Sequence, residues 1–306
     1  MSTPFNNLGP GTKHVFERLI ALEEKQREFL ERRMNACTDR ERTTLENLAQ
    51  TILKLVEPRL DGYLQDYLWL CQEQVTEEIH FRRNGRYRLN TFQEALDQVY
   101  SNKEYMSRYM NGLLMTQLFW SNHTRIFSFY QSDFLASQPP GSTHLEIGPG
   151  HGLLLHAAAT SGKFTSCESW DISETSIAQT RHCLDHLGGG EAVTLKLQDM
   201  FAAENGEFDS IVFAEVLEHM EHPEQAVEVL KKNLSADGRL FIHMPINSPA
   251  PDHLFNCETP EVFVQFLEDQ GLKVEAHRFE PATGLTLEQA TELQYTISCG
   301  LILRKA

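Results

Sequence analysis

The residues best placed to do chemistry in this 306-residue chain gather around one glycine-rich stretch. In His144-Leu-Glu-Ile-Gly-Pro-Gly-His-Gly-Leu-Leu-Leu155 an apolar run feeds into Gly148, Gly150 and Gly152, and an alanine-rich segment of helical character follows. Glycine suits a tight turn that needs positive φ, and the missing Cβ lets a ligand approach the main chain. The unpaired N–H groups at the start of the next helix would point at that ligand. Neither phosphate-binding fingerprint is satisfied. A dinucleotide site needs glycine where Leu153 stands, and a P-loop needs a Gly-Lys-Ser/Thr ending. Further on, His219, His243, Asp252 and His253 bring imidazoles, which exchange protons near neutral pH, together with a carboxylate. A 2-His-1-carboxylate set for a nonhaem ion can be drawn from these four. Nothing in their spacing enforces it, and no metal is expected.

The elements that must position these groups change character near residue 140. Residues 1–140 read as helical, with runs over 13–35, from 43 to 56 and over 60–79, then a capping box at Thr91-Phe-Gln-Glu94. The close-set Tyr63, Tyr67, Leu68 and Trp69 read as helix–helix core or, failing that, a dimer interface. Residues 101–134 are rich in aromatics and Met, and Gln138-Pro-Pro-Gly-Ser142 links them to the glycine stretch. From 142 onward strands alternate with helices, which signals a parallel α/β sheet. Strands are expected at 144–147, 164–170, 193–198, 209–214, 239–243, 273–279 and 295–304. Helices are expected at about 152–160, 174–187, 223–233 and 259–270, with a Pro- and Asn-rich loop reaching residue 257. Open sheets of this kind bind ligands at the carboxyl ends of their strands, which is where Glu146, Asp171, Asp199 and Glu215 fall.

Composition narrows the partners. Residues 1–140 carry 17 Lys/Arg against 18 Asp/Glu, and residues 141–306 carry 10 against 25, so nearly all of the net charge of −16 sits in the second part. An acidic body without a basic stripe excludes a nucleic-acid substrate, because phosphates must be neutralised. The one basic cluster, at Arg82, Arg83, Arg86 and Arg88, reads as a solvated loop. Six scattered cysteines without a C-x-x-C pair argue for buried thiols, with Cys167 and Cys299 in strands. No apolar run is long enough for a membrane span. Met1 to Thr12 shows no basic-then-apolar signal pattern, so a cytoplasmic location is expected.

Glu146-x-Gly148-x-Gly150-x-Gly152 resembles the first motif of class I S-adenosylmethionine-dependent methyltransferases, and the later landmarks keep that family's order over about half of the chain. The resemblance implies a Rossmann-like seven-stranded sheet, its last strand antiparallel, in a catalytic domain at 141–306. An all-helical extension at 1–140 would serve as a lid or for dimerisation. It implies S-adenosyl-L-methionine as cofactor, held by Glu146 and the three glycines, with Asp171 of Trp170-Asp171-Ile172-Ser173 on the ribose hydroxyls. Asp171 could instead cap the next helix, and Glu168 is a fallback. Asp199 and Met200 would contact adenine. Glu215 and His219, in Phe213-Ala-Glu-Val-Leu-Glu-His-Met, would line the transfer site, although His219 could equally be structural. His253 is the expected base, on the loop after strand five, with Asp252 to orient it. Tyr109, Trp120 and His123 would face the acceptor or simply pack the helices. By analogy the acceptor is a small molecule, quinone-like or from specialised metabolism, and a homodimer through the helical part is an option. The rival is a catalytically silent cofactor-binding or scaffold protein. An NAD or nucleotide-sugar enzyme is disfavoured by Leu153.

Overall fold

From residue 142 the alternating apolar segments form one sheet of seven strands: β1 (Ser142–Ile147), β2 (Phe164–Asp171), β3 (Val193–Leu197), β4 (Phe208–Ala214), β5 (Leu234–Ile246), β6 (Leu272–Pro281) and β7 (Ile297–Lys305). The structure, a computed structural model, describes Phe5 and residues 7–306. Residues 1–4 and 6, part of the polar N-terminal stretch, lie outside the described residues. The strand order is β3-β2-β1-β4-β5-β7-β6; β1 to β5 run parallel, and β7 is antiparallel to both neighbours, as the family resemblance implied. The central strands are covered on both faces, so Ile211, Val212 and Phe213 are all fully buried and read as an unbroken apolar run. Helices α8 (Leu153–Thr160), α9 (Glu174–Leu187), α10 (Pro223–Asn233) and α11 (Pro260–Asp269) connect or flank the strands. The strand order reverses between β1 and β4, which opens a crevice outside their carboxyl ends.

The chain before β1 contains α1 (Pro10–Leu22), α2 (Gln26–Asn35), α3 (Asp39–Val56), α4 (Leu60–Asn84), α5 (Phe92–Ala95), α6 (Lys103–Phe119) and α7 (Ser121–Phe129). α5 and α7 each continue into a π turn, over Leu96–Tyr100 and Tyr130–Leu135. The helix expected over 13–35 is two helices, because the chain becomes extended at Glu23 (φ −146°) between them. The box at Thr91 and Glu94 caps α5 as expected.

One core joins the helices to the sheet domain. Val15, Phe16, Leu45, Ile52, Leu64 and Met115 cluster with Leu153 of α8 and Cys183 of α9. α7 and its π turn lie on the sheet itself, where Ile126, Tyr130 and Phe134 meet Val212, Phe241 and Ile302. The aromatic stripe of α4 is used inside the chain: the Tyr67 ring sits 4.5 Å from that of Phe119, and Trp69 stands edge-on to Tyr105 at 4.9 Å. All six cysteines are free, and Cys167 and Cys299 are buried in strands. Among the described residues, no helix is long and apolar enough to cross a membrane.

Candidate active site

β1 delivers the chain into the glycine turn, where Gly148, Gly150 and Gly152 all adopt positive φ, at 73°, 52° and 80°. The Gly148 N–H donates to the Trp170 carbonyl at 2.8 Å, tying the turn to the end of β2. Two of the glycines have separate reasons. At Gly152 a Cβ would stand 3.1 Å from the Thr180 Cα and from the Cys183 Cβ, so this residue lets α8 and α9 approach each other. At Gly150 a Cβ would meet only the Met110 Cε, at 3.2 Å, so the space it would take belongs to a cavity.

That cavity, of about 400 Å³, lies at the carboxyl ends of the central strands and is roofed by α5, α6 and α7. Glu146, Gly148, Gly150, Asp171, Ile172, Glu215 and His219 line it from the sheet side, and Tyr109 and His123 from the helices. Other expected residues lie elsewhere. Gly152 is turned into the α8–α9 contact. Met200 is only 5% exposed and belongs to the core beneath the sheet, while Asp199 closes its own turn by accepting from the Phe201 N–H at 2.9 Å. Trp120 packs edge-on against His123 and against the helical core. His253 lies behind the lining, its Nδ1 2.6 Å from the Ser248 carbonyl oxygen. A second cavity, of about 410 Å³, lies between α3 and α8, away from the strand ends.

Burial and pairing set the charges along the lining. Asp171 is not the cap of α9; Ser173 is, and Asp171 accepts from the Ser173 N–H at 2.7 Å. Burial pushes Asp171 up to about 6, against that hydrogen bond. Glu168, the fallback, is taken up by Lys196 and the Trp170 indole. Glu146 is 2% exposed, its Oε2 has no hydrogen-bond partner among the described residues, and burial raises it well above the usual carboxylate range. Glu215 holds a positive φ of 57°, unusual for a residue with a side chain. Burial works against its ionisation, but His243, 3.0 Å away, together with His123 and His253, holds it below the usual carboxylate range. Burial likewise depresses His123 to about 4.

The helical wall is fastened to the sheet side by contacts with no local signature. Asp252 accepts from the Tyr100 hydroxyl at 3.0 Å and from the Tyr109 hydroxyl at 3.3 Å, across sequence separations of 152 and 143 residues. Asp252 lines the cavity while the adjacent His253 does not, because the two side chains leave the loop in different directions. His219 faces the cavity with its Nδ1 3.4 Å from Asp252 Oδ2. Sequence reasoning also passed over Tyr100, His151 and Glu218; His151 stands between Gly150 and Gly152 of the glycine stretch and Glu218 three residues after Glu215, whereas Tyr100 had no local signal.

The methyltransferase-domain family profile matches residues 119–293, more than half of the chain. A ubiquinone biosynthesis O-methyltransferase of Xylella fastidiosa is 31% identical over 115 residues, covering 36% of this chain and 45% of that one. Its counterpart in Pseudomonas paraeruginosa is 29% identical over 130 residues, covering 42% and 54%. The chain spans about half the length of the curated relatives it matches. Among solved structures, the mitomycin 7-O-methyltransferase MmcR shares the fold with a TM-score of 0.52 at 16% identity, over 88% of this chain and 76% of that one.

Proposed function

Because the chain belongs to the methyltransferase-domain family, we propose that it transfers a methyl group from S-adenosylmethionine to a small-molecule acceptor held beneath α5, α6 and α7. The observation that carries this is a single cavity shared by the glycine turn, Asp171, and the tyrosine and histidine wall. The residues present fit the donor: Gly150 leaves room that a Cβ would fill, and the buried Glu146 Oε2 lacks a partner. When bound, the sulfonium supplies an already activated methyl group. The protein's work is then alignment of the acceptor and exclusion of water.

Asp171 would accept hydrogen bonds from the ribose hydroxyls. Ile172, 55% exposed at the cavity edge, offers an apolar ledge for adenine, beside the turn that carries Asp199 and Met200. On the acceptor side Tyr109, His123 and His219 face the cavity, and a proton leaving an acceptor hydroxyl would pass to His219 rather than to His253. The curated relatives are named as O-methyltransferases, so an oxygen nucleophile is the first acceptor class to try. The apolar wall of Leu96, Met106, Met110 and Leu113 suits a flat, quinone-like or specialised-metabolism acceptor.

Calorimetric titration with S-adenosylmethionine and S-adenosylhomocysteine, with NAD as control, tests the donor. Micromolar binding of the first two alone is expected, and no binding by a folded sample would end the proposal. Binding without turnover of any acceptor would leave a catalytically silent cofactor-binding protein. The pH dependence is a second check. With Asp171 pushed up to about 6, lowering the pH through that value protonates the acceptor of the ribose hydrogen bonds. Donor affinity is therefore expected to fall several-fold between pH 7.5 and pH 5, and a flat profile would remove Asp171 from the ribose site.

A further inference from the structure

We propose that Glu218, His219 and His253 form a binding site for one divalent first-row transition ion. The site would lie between the turn after β4 and the loop after β5, beside the cavity. One donor atom from each of the three residues can be chosen so that all lie within 4.8 Å of one another. The Glu218 carboxylate is fully buried and neither oxygen has a hydrogen-bond partner among the described residues. A buried carboxylate is ordinarily paired or coordinates a metal, so this one needs an explanation. Its Oε1 stands 4.0 Å from His253 Nε2, no more than about twice a 2.1 Å metal–nitrogen bond.

The histidines are set as ligands usually are. His253 Nδ1 lies 2.6 Å from the Ser248 carbonyl, and a carbonyl can only accept, so Nδ1 carries the proton and Nε2 presents its lone pair toward Glu218. That arrangement, a backbone carbonyl fixing the tautomer of a metal-binding ring, recurs in metal sites. His219 is steadied by the Asp252 carbonyl, 3.1 Å from its Nδ1. The main chain holds the two segments together, since the Leu254 and Phe255 N–H groups donate to the Glu218 carbonyl at 2.8 and 2.9 Å. Burial depresses His253 to about 4, which keeps the ring neutral and able to ligate near pH 7. Burial, and then the neighbouring Glu215 carboxylate, raise Glu218 well above the usual range.

Two imidazoles and a carboxylate select zinc, iron, cobalt or nickel over magnesium or calcium. Three protein ligands leave a coordination position, and His219 carries the site to the cavity lining. Resting on the methyl-transfer reading, the ion would hold an acceptor oxygen there and lower its pKa so that its proton passes to solvent, with His219 as ligand in place of base.

The test uses the full chain, stripped with a chelator, desalted, and titrated with cobalt(II) for its visible bands and with zinc for elemental stoichiometry. About one ion per chain is expected, with affinity falling as the pH is lowered. Glu218→Gln and His253→Gln, each checked by circular dichroism, are expected to weaken uptake at least tenfold. The competing surface pair is His182 and His186 on α9, whose rings lie 4.0 Å apart. Uptake lost in His182→Gln but kept in the other two variants would overturn the proposal. So would wild-type uptake well below one ion per chain, which would leave the Glu218 proton shared with Glu215. S-adenosylmethionine titration of the stripped chain is read separately. Metal uptake without donor binding would support this site while sinking the methyl-transfer reading.

Discussion

Asp171→Ala is expected to weaken S-adenosylmethionine binding by roughly 10- to 100-fold without destabilising the fold. A hydrogen bond to a charged group contributes about 1.5–3 kcal/mol, and every 1.4 kcal/mol is tenfold in affinity. Asp171 reaches the cavity from the end of β2 while accepting from the Ser173 N–H. The stability side follows from linkage. The folded-state pKa is raised from 3.8 to about 6, so Asp171 favours folding below about pH 3.8 and that contribution is lost as pH rises through 6. Near neutral pH the ionised side chain is a burden to the fold, and Asp171→Asn should match or exceed the wild-type melting temperature. Calorimetry and thermal melts on the same samples check both halves. Unchanged donor affinity would exclude the ribose role, whereas a large drop in melting temperature would assign Asp171 to the fold.

Gly152→Ala should cost stability first and binding second. Its φ of 80° is left-handed, which costs a residue with a Cβ about 1–2 kcal/mol. The new methyl would press on the Thr180 backbone and the Cys183 side chain at 3.1 Å, adding about 1–3 kcal/mol of overpacking. Gly162 supplies the control: φ is 71°, and nothing lies within 4 Å of the Cβ position. Gly162→Ala therefore isolates the backbone strain. The melting temperature is expected to fall by several degrees in Gly152→Ala and clearly less in Gly162→Ala. Equal shifts would show that α8 and α9 can part at no cost, and the turn would then lack its packing role.

Much of the sheet was legible from local signals: the glycine turn marks the end of β1, and β4 carries the apolar run Ile211 to Ala214. β5 was legible only from Arg239 onward. Asp237-Gly238 reads as a turn, yet the strand begins at Leu234, and between Phe208 and Ser210 of β4 its register jumps from Leu234 to Arg239. The turn residues serve an outward bulge, where their conformational freedom is equally useful. A last helix, α12 (Leu287–Glu292), was missed although Thr286 and Gln289 spell its capping box. The break near Glu23 was invisible because charged residues continue the helical pattern through it. In the site, the glycine turn and Asp171 are local features that a sequence can display. The Asp252 contacts to Tyr100 and Tyr109 depend on helices laid over a sheet, and whether Asp252 or its neighbour His253 faces the cavity is decided by loop geometry that periodicity cannot see.

The way the helices are attached has a consequence for timing. α1, α3 and α4 share a core with α8 and α9, so they cannot swing away without unfolding. Residues 87–100 are held to the sheet side by four hydrogen bonds among the described residues, Tyr87 to Asn256 and Ser248, Phe92 to Glu221, and Tyr100 to Asp252. At about 1 kcal/mol net for each, these bonds add on the order of 4 kcal/mol to the cost of re-exposing the buried Tyr87, Leu89 and Val99 side chains, so the open state is a minor one. Amide exchange faster over 87–100 than over α3 would show that opening directly. The spent donor would then leave at the rhythm of this strip, and turnover would follow the hinge more closely than the methyl transfer itself.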